Sequence, residues 1–162
     1  MMKSDPKIAL LLGEIERAFD GTAWHGPNLM SSLRGIGPKE AAWRPGPERH
    51  NIWELVVHAA YWKYRTRRYL TDEPPRSFGV PGSNFPPRPV EETRKAWDAD
   101  LELLRGWHAR LLEAVAAFDP ARLLEKTGTK RISFEMLISG VAAHDVYHSG
   151  QISLLKRLGG FS

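Results

Sequence analysis

The sequence predicts an all-α protein, a four-helix bundle with a long crossover connection between its second and third helices. Three observations lead there. Four long stretches place apolar residues at three- and four-residue spacing. No stretch shows the two-residue alternation of a half-buried strand. One connection, "TDEPPRSFGVPGSNFPPRP", carries six prolines between Pro74 and Pro89, a density that neither a helix nor a central strand tolerates.

The first helix is expected over about Pro6–Phe19, with Ile8, Leu11, Leu12, Ile15 and Phe19 on one face. Gly21 and Gly26 then break the pattern, and Pro27 suits the first turn of a short helix ending near Gly35. The second long helix starts at Asn51, a capping residue, with Glu54 three positions later completing an N-x-x-E variant of the capping box. Ile52, Leu55, Val56, Ala59 and Trp62 form its apolar face, and Arg65, Arg67 and Arg68 complement the dipole at its end. The proline-rich connection follows. A link of that length in a compact domain has a task, such as covering a site or crossing the end of a bundle. The third helix spans about Val90–Phe118, with Trp97, Leu101, Leu104, His108, Leu111 and Val115 near one face. The fourth runs from about Ser133 to Leu158 and stops at Gly159-Gly160.

At 162 residues the chain fits one domain, residues 1–162, large enough to hold a single core. Hydrophobic residues make up 42% and charged residues 26%, an ordinary soluble composition. The chain has no Cys. That excludes a disulfide framework, a thiolate metal site and a protein thiol nucleophile, and it fits a reducing compartment. The apolar run Ile8 to Leu12 is cut short by Glu14 and Glu16, too soon for a signal segment or a spanning helix, so a cytoplasmic protein without membrane contact is expected. A net charge of +4 is too modest to point to a nucleic-acid partner by itself.

The chemistry lies in "LISGVAAHDVYHSGQISLLKRLGG". Leu137, Val141, His144, His148, Gln151, Leu155 and Leu158 advance by alternating steps of four and three, the seam a helix turns toward its neighbours. The seam is apolar at both ends and His-His-Gln in the middle. His144 and His148 lie about 40° apart around the helix and about 6 Å apart along it, so their rings can converge beside the axis. Buried polar groups without partners cost about 1–3 kcal/mol each. A metal ion removes that cost, taking a lone pair from each neutral imidazole while the other nitrogen donates to an acceptor behind it. The competing reading is a hydrogen-bonded core histidine beside a surface one. His58, in the uncharged run "LVVHAAYW" of the second helix, is either a satisfied core histidine or the third ligand.

At these residues the chain resembles the DinB/YfiT-like superfamily. "NIWELVVHAAYWK" and "GVAAHDVYHSGQISLLK" look like its two signature segments, and "GTAWHGPNL" extends the likeness over most of the chain. The resemblance implies a DinB-like four-helix bundle, often a homodimer, holding a divalent metal on three histidines that match His58, His144 and His148. Characterised relatives include transferases that use a low-molecular-weight thiol with a metal and a maleylpyruvate isomerase that needs one. An ion that lowers the pKa of a bound water or thiol leaves two activities open on a small-molecule substrate, a metal-dependent hydrolase or, as in those relatives, a small-thiol-dependent S-transferase, with a metal-binding stress-response module as the non-catalytic alternative. Zinc, nickel, iron, copper and manganese are all open. One departure is Phe85, in "SNFPP", where relatives often carry Trp-Pro; it alters the expected lining of the pocket.

Other polar residues stand beside the three histidines as candidates. Asp145 follows His144 as Glu follows His in H-E-x-x-H metalloproteases, where it is the general base. Being shorter and about 100° around the helix, it is equally a solvated side chain or a hydrogen-bond partner behind the ligands. Gln151 could bond a metal-bound water, a ligand or a backbone carbonyl. His25, on a Gly-flanked turn, could reach the open end of the bundle or simply sit on the surface. His50 is eight residues from His58 and is not expected on the same ion, and His108 is read as structural. The basic and aromatic run "YWKYRTRRYL" could track phosphates; packing of its rings with solvation of its charges is the preferred reading, so nucleic acid is not the expected partner.

Overall fold

The computed structural model describes residues 5–71, 74, 77–128 and 131–161. Residues 72, 73, 75 and 76 of the proline-rich connection fall outside that set. The elements are α1 (Pro6–Phe19), α2 (Leu29–Ser32), α3 (Pro38–Ala42), α4 (Ile52–Leu70), α5 (Arg94–Ala116) and α6 (Phe134–Gly159), with a short 3-10 turn at Pro120–Arg122. Among the described residues there is no strand, only an isolated bridge between Lys126 and Ser133. No helix is long and apolar enough to cross a membrane.

The helix ends follow their capping chemistry. Asn51 caps α4, its side chain accepting from the Glu54 amide at 2.7 Å. The reciprocal half of the expected capping box is absent, because the Glu54 carboxylate is taken by Arg44 and by His50 at 2.8 Å. Thr93 caps α5 through the Ala96 amide, so this helix starts four residues later than its periodicity suggested. Asn28, rather than Pro27, opens α2. Ser133 caps α6, and Gly160 ends it at φ 73°, a left-handed conformation that glycine adopts without steric cost.

Helices α1, α4, α5 and α6 form the bundle. Trp53 of α4 meets Trp97 and donates its indole N–H to Asp100 at 2.7 Å, while Tyr64 meets Trp107. Contacts thus advance together along α4 and α5, and the two helices run in the same direction. Between α4 and α6 they advance oppositely: Leu55 shares a wall with Leu155, His58 meets His148 and His144, and Trp62 meets His144. The segment between α4 and α5 touches α4 in reverse order. Phe78 packs on Tyr64 and Tyr61, Phe85 on His58, and the Arg88 carbonyl accepts from the Asn51 side chain at 2.8 Å. This return path brings residues 84 and 85 to the middle of α4.

A fully buried ion pair lies in the core. Lys63 of α4 and Asp145 of α6 are both 0% exposed and bonded to each other. The Lys63 ammonium lies 5.1 Å above the Phe19 ring, which stacks on His108 at 3.6 Å. Desolving two charges costs several kcal/mol per ion, so this pair acts less as a source of stability than as a constraint on how α4 and α6 align.

Candidate metal centre

Three imidazoles from two helices converge. The Nε2 of His144 lies 3.0 Å from the Nε2 of His58 and 3.0 Å from that of His148. Among the described residues, these three offer ligand atoms that all lie within 4.8 Å of one another. The antiparallel packing of α4 on α6 brings His58 opposite the pair, and the i, i+4 spacing of His144 and His148 sets their rings edge to face, 4.3 Å apart, on one face.

The outer nitrogens fix which lone pairs face inward. His58 Nδ1 lies 2.9 Å from the Asn84 carbonyl, an acceptor only, so it carries the proton and leaves Nε2 bare. His148 Nδ1 lies 2.6 Å from Gln151 Oε1 and is held in the same tautomer. Two lone pairs therefore point at the His144 Nε2, which can give a proton to one of them at most. His144 Nδ1 is itself buried with no hydrogen-bond partner among the described residues. Nitrogens bound at about 2.0–2.1 Å to a tetrahedral ion sit about 3.3 Å apart, close to the 3.0 Å between the His144 Nε2 and each of the other two. The donor set fits a divalent cation.

Burial keeps these rings neutral. Desolvation is the main cause pushing the His58 pKa down to about 4 and that of His144 to about 3, and it lowers that of His148 too. At neutral pH all three hold lone pairs ready for a metal.

The imidazoles form the floor of an open cleft of about 830 Å³. Its walls include Leu55, Phe85, Tyr147, Leu154 and Leu158, with Glu48, Arg49 and His50 on one rim. Phe85 is sandwiched between His58, at 3.7 Å, and His50, at 3.9 Å. The sequence set His50 apart by its distance along the chain, and the stacked Phe85 is what brings it to the cleft. Asn84 also escaped the sequence reading. Its one signal was a lone Asn in a Gly-Ser-Asn turn, and it adopts φ 59° while accepting from the Trp62 indole at 3.0 Å.

Gln151 lines the cleft with its carbonyl oxygen engaged by His148, leaving its NH₂ as the group offered to a ligand. Asp145 is neither beside the imidazoles' lone pairs nor in solvent. It points into the core at Lys63, because a carboxylate 100° from His144 on this helix faces the bundle interior. His25 lines a separate groove between α1 and α6, with Glu14, Arg17 and Ser139, and does not join the imidazoles. His108 is buried against Phe19, away from the cleft. In the basic run, Tyr64 is buried and Arg68 lies over its ring.

The family model of the DinB superfamily matches residues 22–152, a span that includes all three histidines. No curated protein and no solved structure matches the chain.

Proposed function

This chain belongs to the DinB superfamily, and from that premise we propose that it is a metal-dependent enzyme, a hydrolase or a transferase that uses a small external thiol. The observation that carries the reading is the convergence of three neutral imidazoles, their Nε2 atoms meeting at 3.0 Å around His144, at the floor of an open cleft. A structural site is closed by a fourth protein ligand, whereas three histidines beneath an open cleft leave positions for a substrate. A divalent ion held by His58, His144 and His148 would supply Lewis acidity, polarising a substrate or lowering the pKa of a coordinated water or thiol. The chain supplies the rest. Asn84 and Gln151 hold two ligands in one tautomer, the Gln151 NH₂ can orient a bound oxygen, and Phe85 shields one face of His58 from water. Because the chain has no Cys, the thiol of a transferase reaction must come from outside.

The test is metal analysis of untagged protein, with a parallel assay of activated-ester hydrolysis and of thiol conjugation to an activated aryl halide. About one divalent ion per chain is expected, lost in His148→Ala together with one of the two activities. Full metal content in His148→Ala removes that residue from the ligand set. A metal-loaded wild type inert in both assays favours the non-catalytic module.

A further inference from the structure

The cleft is longer than a metal and one small ligand require. Along α6 the metal-facing stripe continues from His148 through Gln151 and Leu155 to Leu158, which at 1.5 Å per residue lies about 15 Å farther on. Leu154 and Leu158 are 55% and 60% exposed, and both line the same cavity as the imidazoles. Single exposed leucines are ordinary. Here they form one wall with Leu155 and Tyr147, facing Leu55 and Phe85, and that wall ends at the candidate metal centre.

The charges that line this trough cancel. Glu48 and Arg49 are adjacent on the rim with opposite signs, and Glu54 behind them is neutralised by Arg44. The side chains that line the trough therefore carry no net charge. The volume of about 830 Å³ lies within the range of pockets that enclose a medium-sized organic molecule.

We propose that the cleft takes an amphiphilic small molecule, with a polar head at the three imidazoles and an acyl or aryl tail along the Leu154–Leu158 wall. This rests on the metal-site reading and names the substrate class that site would serve. A second copy of the chain is the competing occupant. The unbroken cavity from leucines to imidazoles favours a ligand that uses both ends, since a partner subunit seated there would stop the mouth of the site.

The test uses zinc-loaded full-length protein titrated calorimetrically with straight-chain hydroxamic acids of two, four, six and eight carbons, whose common head chelates zinc. Affinity should rise about twofold to fourfold per added methylene as the tail is buried. Leu154→Asn and Leu158→Asn should flatten the series while two-carbon affinity and zinc affinity stay unchanged. Zinc binding with a flat series in the wild type overturns this proposal alone. Failure to bind zinc, measured separately by direct titration, overturns the metal reading and this proposal with it. A rising series untouched by the two variants, with a dimer that they split in sedimentation velocity, assigns the wall to an interface between copies and also overturns it.

Discussion

The backbone carbonyl of Asn84 accepts from His58 Nδ1 at 2.9 Å, so a residue of the proline-rich connection decides which nitrogen of a helix residue faces the cleft. The same residue holds φ 59° and ties its side chain to Trp62. Asparagine tolerates this left-handed conformation, and a β-branched residue does not.

Asn84→Gly keeps the backbone path and loses only the Trp62 bond, whereas Asn84→Val loses both. Partners behind a ligating histidine are worth about 10–100-fold in metal affinity. Competition against a chromogenic chelator should show Asn84→Val weakened by about that factor and Asn84→Gly much less. Equal affinities in the two variants would mean that the carbonyl does not set the His58 tautomer.

The Lys63–Asp145 pair yields a stability prediction. Removing one partner strands a buried charge, at a cost of about 3–5 kcal/mol, while replacing both with apolar residues is often neutral or better. Urea unfolding should therefore find Lys63→Met strongly destabilised and Lys63→Met with Asp145→Leu close to the wild type. A double variant as unstable as the single one would contradict the assignment.

The buried histidines set a pH dependence for the metal-free protein. Their pKa values fall from about 6.5 to about 4 at His58 and about 3 at His144 and His108, mainly through desolvation. Between those values and 6.5 the unfolded chain holds protons that the folded chain does not. Stability therefore declines as pH drops from about 6.5 toward 4, and it is unaffected by these groups above that window. His108→Phe removes one such group outside the metal site. The slope of stability against pH should shrink in this variant, while metal affinity at pH 7 is retained.

Much of this was legible in the sequence. The bounds of α1, the cap of α4 and the Gly160 stop of α6 follow from local rules, and the His144–His148 seam reads directly from a mixed three-and-four spacing. Other features depend on what comes opposite. The sequence leaves Asp145 open between a base, a solvated side chain and a partner behind the histidines, because nothing local marks its face as interior; its partner Lys63 stands on another helix, at the start of a basic run. Periodicity alone does not mark the start of α5, which the Thr93 side chain sets by capping the Ala96 amide. Asn84 reaches the site through the return of the proline-rich connection along α4, which also lays Phe85 on His50, and no periodicity encodes that path.

X-ray absorption at the metal edge tests the central claim most directly, since it counts imidazole scatterers around the ion. The account predicts three imidazole nitrogens at about 2.0–2.1 Å for a bound zinc, falling to two in His58→Ala with occupancy much reduced. A spectrum with fewer than three imidazoles in the wild type, or one that His58→Ala leaves unchanged, would contradict it.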